Sequence, residues 1–274
     1  MARMKGLSKL IKASKLDESK TFLDDLVYTI QESNVSDYTP NKTYSPSAMG
    51  GCERALYYKG IGIKPDAETP EYTIVGIGES GTARHEHLQD YVMKMQDFNI
   101  DCEWIDVEWY LENEANGKNF SEHTKVISKK GNETKCFNDK LNMRFLCDGI
   151  IKYKGEYYIL EIKTETSMKF GHTDAHTPHK RQATCYSLLL GIDKIIFLYE
   201  NRDTCNKDAF LVEINDAMKK RVMSTVQRVN KAIETKEVPM KTSEAKNCQY
   251  CNYRRTCKNE PTDKLRVELK GEDE

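Results

Sequence analysis

Residues Arg144 to Tyr153 and Glu156 to Thr164 are rich in aromatic and β-branched side chains, and they flank the two-residue turn Lys154-Gly155. Such a pattern predicts a β-hairpin. Facing Tyr153 with Glu156 sets Asp148 opposite Glu161, and strand alternation puts Lys163 on the same face as Glu161. Upstream, Glu79 to Gln96 repeats apolar positions at helical spacing, with His85, Leu88, Val92 and Met95 on one stripe. His85 is therefore expected to point inward and His87 away from the stripe. Downstream, Thr177 as N-cap, Pro178 as first helical residue and Gly191 just past the end frame a second helix. In it Gln182 and Tyr186 lie four apart and share a face, behind Lys180 and Arg181 in the first turn. Ile195 to Tyr199 reads as a short buried strand, so a helix between two strands implies a right-handed crossover and an α/β fold. Weaker patterns predict a strand over Glu103 to Leu111, a polar insertion over Glu112 to Lys140, a surface helix over Asn215 to Lys236 and a charged tail over Lys264 to Glu274. There is no internal repeat.

Composition narrows the class. The chain has 274 residues, with 42 Lys plus Arg against 43 Asp plus Glu. Near-neutral charge excludes a wholly cationic DNA-coating protein but permits a local basic groove. The mean hydropathy of −0.71 is polar, yet 9% aromatics can furnish a core. No run approaches the roughly 20 apolar residues of a membrane span, and Met1 to Lys20 lacks the apolar segment of a secretion signal. A soluble, cytoplasmic protein is expected. No G-x-x-x-x-G-K-[ST] segment is present, so no P-loop motor is expected.

Two carboxylates facing each other across a hairpin repel. Asp148 lies within Phe145-Leu146-Cys147-Asp148-Gly149-Ile150-Ile151, and Glu161 within Ile159-Leu160-Glu161-Ile162. Acids embedded in apolar strands require partners. A divalent cation reverses the repulsion, and Mg2+ or Mn2+ favours carboxylate, carbonyl and water oxygens, including the backbone carbonyl of Ile162. Lys163 would then add positive charge beside the cation, where it can stabilise developing charge on an anionic substrate. The competing reading is a solvent-exposed Glu-x-Lys on an edge strand. For His85 alone a satisfied core histidine is the ordinary reading, and a carboxylate site needing another ligand raises its claim. Lys180, Arg181, Gln182 and Tyr186 form a cationic, hydrogen-bonding face suited to phosphate contacts.

Nine cysteines are many for a reducing compartment. Cys102, Cys136, Cys147, Cys185 and Cys205 read as small hydrophobes. Cys248, Cys251 and Cys257 form C-x2-C-x5-C in a polar run, which reads as thiolate ligation. Three thiolates need a fourth ligand to close a zinc tetrahedron or a four-iron cluster. Cys52, after the turn Ser45-Pro46 to Gly50-Gly51, is the candidate; a histidine-completed zinc knuckle or unligated thiols are the alternatives. If Cys52 ligates, one inorganic centre staples the first quarter of the chain to its last thirty residues.

Taken in order, Cys52, His85, Asp148, Glu161-Ile162-Lys163, Gln182-x-x-x-Tyr186 and Cys248, Cys251, Cys257 resemble the RecB-type branch of the PD-(D/E)xK nucleases. They are most similar to its iron–sulfur members, the CRISPR-associated RecB-like exonucleases and the AddB nuclease domain. The resemblance spans roughly Tyr44 to Lys258. It implies a restriction-endonuclease-like core with a central mixed sheet flanked by helices, its N- and C-terminal segments joined by a metal cluster. It assigns His85, Asp148 and Glu161 to Mg2+ or Mn2+, Lys163 to catalysis, and Gln182 and Tyr186 to DNA orientation and site support. A 4Fe-4S cluster rather than zinc at the cysteines also follows from it. Two departures stand out: Cys147 occupies the position where the family name has Pro, and the 112–140 insertion exceeds the simplest family pattern. The expected layout is a helical extension over 1–43, a nuclease domain over 44–260 and a tail over 261–274. The expected activity is that of a metal-dependent DNA exonuclease working on ends or single strands, with a helicase, recombinase or integrase as a possible partner. The rivals are a non-catalytic DNA-end-binding or integration adaptor and an endonuclease.

Overall fold

A computed structural model of the protein describes residues 2–35, 39, 41–66, 70–241, 245–249 and 251–259. The chain divides into two units, one of residues 1–38 with 67–80 and one of 39–66 with 81–274. The first holds helix α1 (Ala2–Ser33) and the opening turns of a later helix. There the Gln31 side chain donates to the Pro70 carbonyl at 3.2 Å, and Phe22, Tyr28, Ile74 and Ile77 are exposed.

In the second unit α2 (Glu53–Ile61) precedes α3 (Tyr72–Met93), which passes from one unit into the other. Next come β1 (Cys102–Ile105), α4 (Val107–Asn113), β2 (Thr124–Lys130), β3 (Glu133–Asn138), β4 (Met143–Cys147), β5 (Gly149–Tyr153) and β6 (Glu156–Glu165). The chain continues through α5 (Thr177–Leu190), β7 (Lys194–Asn201), β8 (Lys207–Glu213), α6 (Asp216–Glu234), α7 (Ala245–Gln249) and α8 (Arg254–Asn259). The five-stranded sheet runs β1-β5-β6-β7-β8, and β2-β3-β4 form a second sheet. Every neighbouring pair is antiparallel except β6 with β7, the two strands that α5 connects. This is a mixed sheet flanked by helices, the expected α/β architecture.

Alternation along the central strands sorts two cores. Ile150, Ile159, Ile195 and Phe197 belong to a large core that includes Leu56, Leu189 and Val226 from α2, α5 and α6. Ile151, Leu160 and Ile162 pack on the other side with Leu88, Val92 and Met95 of α3 and its extension. The apolar stripe predicted for that helix is therefore its buried face.

Several predicted elements are corrected. The strand expected over Glu103 to Leu111 stops at Ile105 because the Asp106 side chain accepts from Trp109 N at 3.0 Å and caps α4. The 112–140 insertion is largely a hairpin, β2 and β3, turning at Gly131-Asn132. The strand expected over 144–153 breaks at Asp148, where the chain leaves one sheet for the other. α3 starts at Tyr72, ahead of Glu79, and the N-cap of α5 is His176, one residue before Thr177. α6 fits its expected span, with the Asn215 side chain capping it from Met218 N at 3.1 Å. The tail over 264–274 lies outside the described residues.

Candidate functional site

The hairpin register is the one the turn predicts: Tyr153 pairs with Glu156 and Gly149 with Leu160. Asp148 thus emerges from the strand break facing Glu161, and the Ile162 N–H donates to Asp148 Oδ2 at 2.8 Å. Gln89 on α3 anchors the same turn, donating to the Asp148 carbonyl at 2.7 Å. One helical turn earlier, His85 Nδ1 lies 3.6 Å from Asp148 Oδ1. Burial opposes charge on this ring, but the Asp148 carboxylate outweighs it and raises the His85 pKa above the usual value.

Glu161 is 1% exposed. Its Oε1 receives Lys163 Nζ at 2.5 Å and Gln182 Nε2 at 2.8 Å. Its Oε2 is buried without a hydrogen-bond partner. Burial, then the Asp148 charge, pushes the Glu161 carboxyl up to about 7 against the pull of Lys163. Gln182 joins the parts: its Nε2 also donates to Tyr186 Oη at 2.9 Å, and its Oε1 accepts from Lys163 at 3.3 Å. Tyr186 is buried against Phe145, with ring centroids 5.6 Å apart. Burial, reinforced by the two acids, raises its hydroxyl pKa well above the ordinary value.

One neighbour was not expected. Glu133, at the start of β3, brings a carboxylate oxygen into a group with His85 and Asp148 whose ligand atoms all lie within 4.8 Å of one another. Pairing of β3 with β4, which sets Thr134 opposite Cys147, carries Glu133 to the strand end just before Asp148. The signal for it was the Gly131-Asn132 hairpin turn, inside what was read as an insertion. Two buried facing acids, one of them with a carboxylate oxygen unmet, are a donor set that fits a hard divalent cation.

The structure does not bring Lys180 and Arg181 to this centre. They line a separate cavity of about 440 Å³ with Arg221 and Arg228 of α6. Lys180 pairs with Asp174, and Arg181 donates to the Gly50 carbonyl at 3.2 Å.

The four cysteines do converge. Cys52, the N-cap of α2, lines a cavity of about 250 Å³ with Cys248, Cys251 and Cys257. Burial raises the Cys251 thiol, and the nearby Cys52, Cys248 and Cys257 push in the same direction. The Tyr253 N–H donates to Cys251 Sγ at 3.4 Å, and Arg54 reaches Cys257 Sγ at 3.7 Å. Four sulfurs on one cavity with N–H donors beside them fit a thiolate-held metal centre.

Comparison with known proteins adds distant shapes only. No family model and no curated protein matches the chain. Among solved structures, SSO0001 aligns with a TM-score of 0.45 at 18% identity, covering 88% of this chain and 98% of that one. An alkaline exonuclease, LHK-Exo from Laribacter hongkongensis, aligns at 0.42 and 11% identity, covering 72% and 90%. The same exonuclease in complex with dAMP gives 0.42 at 12%. The functional reading therefore rests on this chain's own side chains.

Proposed function

We propose that the protein is a cytoplasmic, divalent-metal-dependent deoxyribonuclease of RecB-like type, hydrolysing phosphodiester bonds at DNA ends or in single strands. The observation that carries this reading is the buried Glu161 carboxylate, facing Asp148 and gripped by Lys163 and Gln182, with one oxygen unmet. Pure DNA binding has no use for two buried facing acids. His85, Asp148, Glu161 and the Ile162 carbonyl would hold Mg2+ or Mn2+, with Glu133 as a further carboxylate. Bound there, such an ion lowers the pKa of water and offsets phosphate charge.

Lys163 offsets charge on the scissile phosphate and is held in place by Glu161 and Gln182. Gln182 and Tyr186 keep the Glu161 carboxylate aimed across the hairpin. The cysteines would hold a 4Fe-4S cluster, with zinc as the alternative, closing the larger unit by joining α2 to the C-terminal segment. A helicase, recombinase or integrase that supplies the DNA belongs to the same reading. No helix of the described residues is long and apolar enough to cross a membrane.

Labelled linear DNA with free or blocked ends, incubated with Mn2+, tests the activity. Wild-type protein should shorten free-ended DNA progressively, and Asp148→Asn and Lys163→Met should not. Full activity in both variants would refute the site. Cleavage of blocked and circular substrates would convert the reading to an endonuclease, and metal-independent, salt-sensitive binding without hydrolysis would convert it to an adaptor.

A further inference from the structure

Glu165 ends β6 on the same face as Glu161 and Lys163 and is 7% exposed. Among the described residues no Lys or Arg side chain meets its carboxylate, whose partners are two imidazoles: His176 Nε2 lies 3.1 Å from Oε1, and His172 Nε2 lies 3.1 Å from Oε2. The two imidazole rings are 4.1 Å apart, centroid to centroid. One ligand atom from each of Glu165, His172 and His176 lies within 4.8 Å of the other two.

The fold brings these groups together deliberately. β6 pairs Glu165 with Asn201 at the end of β7, which fixes the strand end. The chain then turns over Thr166 to Phe170, with Lys169 N and Phe170 N both donating to the Thr166 carbonyl. Gly171 follows at φ +91, a conformation open to glycine, and delivers His172 back over the strand. His176 is the N-cap of α5. Tyr199 of β7 braces both residues: its hydroxyl accepts from the His176 backbone N–H at 3.3 Å, and its ring meets His172 edge-on at 4.6 Å. Phe210 covers His172 at 5.2 Å.

Two imidazoles and one carboxylate are the protein donor set of mononuclear zinc sites and of two-histidine, one-carboxylate iron sites. His172-x3-His176 has the spacing of a paired zinc ligand. Bonds of about 2.1 Å to one ion put neighbouring ligand atoms roughly 3–3.5 Å apart, and each histidine nitrogen stands 3.1 Å from a Glu165 oxygen. Magnesium and calcium prefer oxygen and would discriminate against this set.

We infer that Glu165, His172 and His176 form a second metal site, selective for zinc-class transition-metal ions and separate from the acid centre at Asp148 and Glu161. An ion held there fixes the β6–α5 connection and with it the start of the helix that carries Gln182 and Tyr186. The fourth position is left for water or a substrate oxygen.

Zinc content of the full-length protein, measured after equilibration with Zn2+ in excess Mg2+ and dialysis, tests the site. Glu165→Gln and His172→Ala/His176→Ala should each hold one equivalent less than wild type. Asp148→Ala should keep that equivalent, which separates this result from the fate of the nuclease reading, and the cysteines are common to every sample. Equal zinc in wild type and both site variants would overturn the inference. Anomalous diffraction from zinc-soaked wild-type crystals needs no variant: a peak bonded to all three side chains supports the site, and no peak there overturns it.

Discussion

Replacing Glu161 with Gln should make the metal-free protein more stable while disabling the proposed metal site. The side chain is buried, its Oε2 is unmet, and Asp148 stands across the hairpin. Burial and that neighbour raise its pKa from 4.5 to about 7. At about 1.4 kcal/mol per unit, holding the carboxylate ionised at pH 8 opposes folding by up to roughly 3 kcal/mol. The pull of Lys163 is already contained in that net shift. Gln keeps the shape and can still accept from Lys163 and Gln182, so the variant resembles the protonated wild type.

The sign sets the pH window. Because the folded-state pKa lies above the unfolded value, the penalty is absent below about pH 4.5, grows through the interval and is complete above about pH 7. Thermal melts in chelator should therefore place Glu161→Gln above wild type at pH 8 by on the order of 5 °C, with the gap shrinking to less than about half at pH 5.5. Adding Mn2+ should raise wild type more than the variant. Changes common to both proteins cancel, so the difference between them is the quantity to read. A variant no more stable than wild type at pH 8, or a gap that does not narrow on acidification, would refute the reasoning.

Two further outcomes follow from packing around the site. Arg84, beside His85 on α3, makes a bidentate ion pair with the fully buried Glu200 at 2.7 Å for each bond, and Lys207 adds a contact at 3.1 Å. Arg84→Met leaves Glu200 to Lys207 alone and should lower stability by roughly 3 kcal/mol in urea denaturation, partly recovered in Arg84→Met/Glu200→Gln; an unchanged midpoint would show that the pair is idle. Gly149, next to Asp148, faces Trp104 so closely that an added Cβ would lie 2.3 Å from the indole. Gly149→Ala should destabilise by about 1–3 kcal/mol and lower cleavage by displacing Asp148, measured as kcat on labelled DNA against a wild-type-like KM.

What could be read from the chain follows the range of the interaction that sets each feature. The turn at Lys154-Gly155, with φ of +51 and +81, supplies the primed-turn geometry that fixes a two-residue hairpin register, so the facing of Asp148 and Glu161 was legible. Pro178 and Gly191 framed α5 to within a residue for the same local reason. Asp106-Val107-Glu108-Trp109 carried an N-cap signal that aromatic content masked, and Gly131-Asn132 carried a hairpin signal that polarity masked. Missing that hairpin hid Glu133, because only the pairing of β3 with β4 brings it to Asp148.

The face of β6 shows the same division. Glu161, Lys163 and Glu165 alternate along it, so their common orientation is a matter of strand period alone. The partners of Glu161 come from its own strand, the facing end of the hairpin and the helix that follows, and their chemistry had to be inferred from what two buried acids require. Those of Glu165 lie in the loop that immediately follows, spaced as His-x3-His, where metal-ligand spacing is readable without any fold. A strand that presents acid, lysine and acid in register can thus serve an oxygen-rich centre on one side of the lysine and an imidazole-rich one on the other. The ion preferred at each is decided by which residues the neighbouring elements bring to it.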